Sequence, residues 1–499
     1  MFSLNAKPRL YQEELFAKAV NNNALIVLPT GLGKTLIALM LSIHRLNQYP
    51  DSKVLVMAPT KPLAAQHLKS FVKDSNIKES DCALLTGAIK PELRKDYYHN
   101  KRLIFATPQT IESDLLSGKL DFSDYSLIVF DECHRAVGDY AYCFLAQQYY
   151  KQAINKRLLG ITASPGSDKD KIIEVCNNIH LSIVESRSEQ DSDVKPYINK
   201  KNITKIYIEL PESLQEIIKL LNKALSINLK DLKDLGVLQT HDITRVYKKE
   251  VLSVQHKAVE LLKTNKYEAY SILSASARVL KVMHALELLQ TQGVTPLTVY
   301  FEGLKKQNVK AAKSLLMNVY FRQAMQAAFK TSDEHPKFNE LIKLINSKPK
   351  ETYLLFTQYR ATAERIVEVL SKNSFKAKLF VGQRGSNGMS QKKQLEILDK
   401  FKSGEFNILV STSISEEGLD IPRIDNAVFF EPIPSALRSV QRRGRVGRAK
   451  TGNVYVLITK GTIDEKYHWT SYYKEKRMKN ALDELRSSKF NQSGLNKFF

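Results

Sequence analysis

Three stretches of the chain hold residue types that could do phosphate chemistry. In the first, Pro29-Thr30-Gly31-Leu32-Gly33-Lys34-Thr35 combines glycines, a lysine and a hydroxyl in the order a nucleotide's phosphates require. Glycines let backbone N–H groups close around a β-phosphate, and a helix starting there adds positive potential. Lys34 is suited to reach the β- and γ-phosphates, and the Thr35 hydroxyl to ligate Mg²⁺. Leu28 stands where the general pattern has its first glycine. In the second stretch, Asp131-Glu132-Cys133-His134, two carboxylates follow the apolar run Leu127-Ile128-Val129-Phe130. An acid at a strand's end can hold the Mg²⁺ that bridges two phosphates, the role assigned here to Asp131. Glu132 beside it can orient or deprotonate an attacking water. The third, Gln441-Arg442-Arg443-Gly444-Arg445-Val446-Gly447-Arg448, is dense in guanidiniums. Arg445 and Arg448 lie at i, i+3 on what reads as one helix, so both can reach a transferring γ-phosphate. The first two together are a specific signal for nucleoside triphosphate hydrolysis; the third also fits a basic nucleic-acid-binding helix, and the company of the other two favours catalysis.

These residues need scaffolds, and the hydropathy pattern supplies them. Residues 1 to about 187 alternate short apolar runs with helical patterns, as βαβ units do. Strands are predicted over 24–28, 54–58, 103–106, 127–130 and 158–162, each ending in polar, Gly or Pro residues. In an open α/β sheet ligands gather at the carboxyl ends of the strands, so these polar clusters should face one crevice. From about 205 to 335 apolar residues recur at helical spacing, as at Leu214, Ile217, Ile218, Leu221 and Leu225, and strand-like runs largely disappear. Lys248, Lys249, Lys305, Lys306, Lys310 and Lys313 give this region basic faces, suited to gripping a nucleic-acid backbone. From about 337 the βα alternation resumes, with runs at 352–356, 378–381, 408–410 and 427–430, and 380–394 reads as a polar loop. The predicted organisation is a first α/β domain over 1–204, an all-helical insert over 205–336, a second α/β domain over 337–486, and a tail over 487–499.

Lys and Arg number 75 against 52 Asp and Glu, a formal charge of +23 in 499 residues. That surplus favours a polyanionic partner, and nucleic acid over an anionic membrane. Cys82, Cys133, Cys143 and Cys176 are scattered without metal-ligand spacing, which predicts a reduced compartment and no zinc site. No apolar run approaches a membrane span, and the first residues lack a signal-peptide core. The expectation is a soluble intracellular protein of the cytoplasm or nucleoid, with no membrane partner.

On these residues the chain resembles the superfamily 2 helicases. Asp131–His134 resembles their DExH box, and Pro29–Thr35 their form of the phosphate loop, in which the first glycine is commonly replaced. Ala58-Pro59-Thr60-Lys61-Pro62-Leu63 is similar to motif Ia, Thr107-Pro108-Gln109 to motif Ib, and Thr162-Ala163-Ser164-Pro165 to motif III. Val410–Pro422 resembles motif V and Gln441–Arg448 motif VI. Arg9-Leu10-Tyr11-Gln12 is similar to the segment that reads adenine, a task suited to an amide that both donates and accepts. The resemblance implies two RecA-like parallel-sheet domains binding ATP and Mg²⁺. It further implies nucleotide contacts from Gln12, Gly418 and Asp420, and a catalytic role for Gln441 beside Arg445 and Arg448. Backbone contacts to DNA are implied for Thr60, Lys61, Thr107, Gln109 and Thr412, and coupling of hydrolysis to movement for His134, Thr162 and Ser164.

The order of motifs, the helical insert, the segment 186–197 and the run 380–394 are most similar to the archaeal Hef, Fanconi-anaemia M and Mph family. That resemblance implies ATP-driven translocation on branched DNA, such as stalled forks and Holliday junctions. The acidic nuclease motif of many Hef proteins is absent, so no nuclease activity is expected, and a separate structure-specific nuclease is an expected partner. Two other readings stay open: a RIG-I- or Dicer-like ATPase stimulated by duplex RNA, toward which Cys133 leans, and a clamp-tethered nucleic-acid scaffold.

The last residues, Gln492-Ser493-Gly494-Leu495-Asn496-Lys497-Phe498-Phe499, resemble a box that docks on the replicative sliding clamp (PCNA). One helical turn would set Leu495 and Phe498 side by side as apolar anchors, with Phe499 adjacent and Gln492 hydrogen-bonding.

Overall fold

The structure, a computed structural model, describes residues 1–198, 201–263, 266–382, 388–412, 424–435 and 452–486. The first lobe holds seven strands: β1 (Ala24–Val27), β2 (Lys53–Met57), β3 (Cys82–Leu85), β4 (Leu103–Ala106), β5 (Tyr125–Asp131), β6 (Leu158–Thr162) and β7 (Ile183–Ser186). They form one parallel sheet in the order β3-β4-β2-β5-β6-β1-β7. Every residue of β1 and β5 is buried, as in a sheet covered by helices on both faces. One face packs around Leu25, Ile104, Ile128 and Tyr142, the other around Ile26, Val56, Phe71 and Val129.

The second sheet contains β8 (Lys201–Ile208), β9 (Tyr353–Phe356), β10 (Ala377–Phe380), β11 (Ile408–Ser411), β12 (Asn426–Phe429) and β13 (Gly452–Thr459), in the order β10-β11-β9-β12-β13-β8. All its pairings are parallel. Between β8 and the helix Lys337–Ser347 the chain leaves for a bundle with its own core, built around Leu221, Leu229, Val279, Leu297 and Phe321. The lysines 249, 305, 306, 310 and 313 are exposed on that bundle, while Lys248 pairs with Glu287 at 3.2 Å.

The structure departs from the sequence reading in three places. Residues 201–204, assigned from the sequence to the first lobe, lie in β8 and pair with β13 along its whole length, so the bundle is inserted into the second lobe. Five residues of β8 (202–205 and 207) are exposed, which removed the apolar signal of a strand. The helix Ile463–Leu485 starts on the second lobe but buries Met478, Ala481, Leu482 and Leu485 in the first lobe's core. It therefore acts as a strut: Ile463 N–H donates to Gln290 Oε1 of the bundle (3.1 Å), Tyr467 Oη to Glu287 Oε1 (2.9 Å), and Arg486 Nη1 to Asp191 Oδ1 of the first lobe (3.1 Å). Within 380–394, residues from Gln391 open the helix Gln391–Lys402, capped by the Ser390 hydroxyl. Gln394 is buried there, its Nε2 donating to the carbonyls of Val381 and Met389. A buried glutamine that donates twice to backbone carbonyls reads as loop polarity until its partners are seen.

Candidate active site

β6 lies between β1 and β5, with Val27 opposite Thr162 and Asp131 opposite Ile161. The loop after β1, the acids ending β5 and Thr162 ending β6 therefore converge at one carboxyl edge, where ligands of α/β sheets sit. Gly31 (φ 85°) and Gly33 (φ 76°) take left-handed backbone, which lets the loop fold back over the N-terminus of the helix Lys34–Gln48. A Cβ on Gly33 would come within 2.3 Å of Gln12 Nε2. That amide donates to Leu32 O (3.0 Å), the Tyr11 hydroxyl donates to the same carbonyl (2.9 Å), and Arg9 N–H donates to Gln12 Oε1 (2.9 Å). These bonds tie the first helix to the loop and leave Gln12 one N–H and one lone pair. Lys34 Nζ donates to Leu28 O at 2.9 Å. A lysine held on backbone carbonyls at a glycine cradle fits a phosphate, which can displace those weaker acceptors.

Glu132 follows β5 with φ 48°, a left-handed conformation that costs a non-glycine residue on the order of 1 kcal/mol or more. Its Oε2 accepts from the Thr162 hydroxyl (3.3 Å) and lies 3.3 Å from His134 Nδ1, which is itself 3.0 Å from Thr162 Oγ1. Burial pushes the Glu132 carboxyl up, but the His134 imidazole, the Lys34 ammonium and the Thr162 hydroxyl outweigh it and hold it below the usual carboxylate range. Ser164 N–H donates to Thr162 Oγ1 (3.2 Å), and the Ser164 hydroxyl to Met478 Sδ of the strut (3.4 Å). The expected acid, imidazole and hydroxyls thus form one connected network that ends on the strut.

Asp131 is held on both oxygens. Oδ1 accepts from Glu132 N–H (2.9 Å), and Oδ2 lies 2.7 Å from His67 Nε2 in a buried pair. Tyr142 Oη donates to the Asp131 carbonyl (2.8 Å). Sequence reasoning missed His67 and Tyr142, since neither is adjacent to the acids along the chain. His67 lies on the helix that Thr60 caps, so the stretch resembling motif Ia reaches the acid of the stretch resembling the DExH box.

Thr60 and Thr107 cap the helices Lys61–Asp74 and Pro108–Leu116, which follow the neighbouring strands β2 and β4. The Thr60 hydroxyl is buried with no hydrogen-bond partner among the described residues, Thr107 Oγ1 lies 2.9 Å from Thr110 Oγ1, and Lys61 and Gln109 are exposed. Two adjacent helix N-termini with short hydroxyls suit successive backbone phosphates. Thr412 follows β11, at the carboxyl edge of the second sheet. A cleft of about 510 Å³ separates the lobes, lined by His134, Ser164 and Lys171 on one side and by Pro434, Ser435 and Lys474 on the other. Ser435 is the last described residue before the segment carrying Gln441, Arg445 and Arg448. Those three, with Gly418, Asp420, Gln492, Leu495, Phe498 and Phe499, lie outside the described residues.

Comparison with known proteins agrees with this architecture. Family profiles match 5–167 (type III restriction enzyme, res subunit), 213–335 (helical bundle of ATP-dependent RNA helicases) and 336–450 (helicase conserved C-terminal domain). The crystal structure of the Pyrococcus furiosus Hef helicase domain superposes with a TM-score of 0.72 at 44% identity, covering 93% of this chain and 98% of that one. The chain belongs to the Hef, Mph and Fanconi-anaemia M family of superfamily 2 helicases. It is 41% identical to a Methanocaldococcus jannaschii protein named an ATP-dependent RNA helicase, covering 96% of this chain and 61% of that protein. To the ATP-dependent DNA helicase mph1 of Neurospora crassa it is 33% identical, over 94% of this chain and 42% of that one. The chain thus spans about three fifths of the archaeal relative and two fifths of the fungal one. The family is one of ATP-dependent helicases, and the two lobes with a helical region between them are its fold. No helix among the described residues is long and apolar enough to cross a membrane.

Proposed function

We propose that the protein is a DNA-dependent ATPase that moves along or remodels branched DNA, such as forks and four-way junctions. The observation that carries this reading is the network Glu132–His134–Thr162–Ser164, which links the acid beside the phosphate loop to the strut helix. A change at the nucleotide is thereby passed to a helix packed on the second lobe and the bundle. Lys34 and the loop N–H groups bind the phosphates, Thr35 and Asp131 hold Mg²⁺, and Glu132 orients and deprotonates water. Mg²⁺, when bound, neutralises charge on the β- and γ-phosphates. Arg445 and Arg448 complete the site from the second lobe. Thr60, Thr107 and Thr412 contact the DNA backbone, supported by the place of Thr60 and Thr107 at the N-termini of helices that follow neighbouring strands and by the surplus of 75 Lys and Arg over 52 Asp and Glu.

Steady-state ATPase rates with single-stranded DNA, duplex, fork, four-way junction and duplex RNA test the reading. Forks or junctions should stimulate most. Strongest stimulation by duplex RNA would place the protein instead with the RNA-dependent ATPases, a reading favoured by the name of the Methanocaldococcus relative. If remodelling continues unchanged without hydrolysis, the scaffold reading replaces the motor.

Two further outcomes belong to the same reading. His67→Ala frees Asp131 Oδ2 and is expected to raise the half-saturating Mg²⁺ concentration for ATPase about tenfold, as loss of a partner behind a metal ligand does. An unchanged Mg²⁺ profile removes His67 from that role. At the other end of the chain, deletion of Leu495–Phe499 should abolish binding to the sliding clamp in a pull-down while DNA-stimulated ATPase persists. Retained clamp binding rejects the box Gln492–Phe499.

A further inference from the structure

Outside the hydrolysis site, one face of the strut helix Ile463–Leu485 carries a cluster of exposed rings. Lys466, Trp469, Tyr472, Tyr473 and Lys476 fall on one side of it by helical spacing. Trp469, Tyr472 and Tyr473 are 46%, 48% and 53% exposed, although the helix buries its opposite face in the first lobe. The three rings touch, with centroids 5.8 Å apart for Trp469–Tyr472, 6.1 Å for Trp469–Tyr473 and 5.6 Å for Tyr472–Tyr473. Lys205 of the edge strand β8 brings its ammonium to 5.6 Å from the Trp469 centroid. A cleft of about 510 Å³ opens beside Tyr472, with Phe429, Ile433, Val456, Glu475, Lys476 and Lys479 among its lining.

Charge decides what such a face fits. From Lys466 to Lys479 the helix carries Lys466, Lys474, Lys476, Arg477 and Lys479 against the single acid Glu475, and Glu475 is paired with Lys479 at 3.4 Å. Half-exposed rings flanked by cations match a ligand with π-faces and a polyanionic backbone. A duplex hides its base faces in the stack; an unpaired strand offers them. We propose that this face is a stacking platform for an unpaired nucleic-acid strand, and that the cleft beside Tyr472 receives a base turned out of it. The inference rests on the reading of the protein as a nucleic-acid-dependent ATPase. It adds a contact on the strut to those expected from Thr60 and Thr107 in the first lobe.

Trp469 is the chain's only tryptophan, so its emission reports directly on the site. Oligothymidylate and a blunt duplex of equal length are titrated while emission and the anisotropy of labelled DNA are followed together. Oligothymidylate should quench Trp469 and the duplex should not. A Tyr472→Ala/Tyr473→Ala variant that melts at the wild-type temperature should bind oligothymidylate about tenfold more weakly. DNA seen bound by anisotropy, with Trp469 emission unchanged and the double variant binding normally, overturns the platform and leaves the ATPase reading standing. Absence of any binding or ATPase stimulation by nucleic acid overturns both. Quenching that depends on protein concentration without DNA overturns it in favour of a face between copies of this chain.

Discussion

Glu132→Gln is expected to hydrolyse ATP about 10²- to 10⁴-fold more slowly than the unaltered protein, while binding nucleotide with similar affinity. The two side chains share shape, and glutamine can still accept from Thr162 through its Oε1. What it cannot do is take a proton from water. Lys34, Thr35 and the loop N–H groups are untouched, so the ground-state contacts to phosphate survive the change. The surroundings of Glu132 support this separation. His134, Lys34 and Thr162 hold the carboxyl below its usual range despite burial, so the base is charged and ready at neutral pH. Steady-state hydrolysis beside equilibrium binding of a fluorescent ATP analogue makes the comparison. Hydrolysis at the wild-type rate would take Glu132 out of the reaction. Equal loss of binding would make it a structural acid.

The second large effect is on stability. Lys337→Met is expected to cost about 3–5 kcal/mol, because it leaves the Asp464 carboxylate buried without its counter-charge. Both side chains are fully buried, with Nζ 2.6 Å from Oδ2. Lys337 also donates to Thr291 O (3.1 Å), and Asp464 Oδ2 accepts from Thr459 N (3.1 Å) and Thr459 Oγ1 (2.8 Å). The pair therefore joins the last turn of a bundle helix, the first helix after the bundle and the start of the strut. Thermal and urea unfolding of Lys337→Met, Asp464→Leu and the double variant measure it. The double variant should lose less than either single change, since removing both charges removes the desolvation penalty as well. Strictly additive losses would mean that the two side chains do not act as a pair.

Both effects mark the limit of what was legible along the chain. The phosphate loop and the acids could be read because their chemistry is local. Glycine conformation, a helix N-terminus and a strand end are written in consecutive residues, and β1, β5 and β6 announced themselves as apolar runs. The topology of the first lobe then brings the loop after β1, Glu132 and Thr162 together, as strand-end logic requires. β8 was lost for the opposite reason: an edge strand mostly in water has no apolar run to display. Gln394 misled because a buried amide with two carbonyl acceptors has the same letter as a solvated one.

Residue order alone carried the chemistry: a nucleotide phosphate cradle, a pair of acids, an arginine-dense segment, two α/β sheets and a basic helical region. These follow from residue type and near-neighbour spacing, which act over a few residues. Packing in three dimensions made the bundle interrupt the second lobe and set His67 on Asp131. It alone decided that Met478 meets Ser164 across more than three hundred residues, and that the strut helix returns to the first lobe's core. Such contacts are chosen by packing and by the pairing of buried polar groups among distant segments, and periodicity along one chain carries no record of that choice.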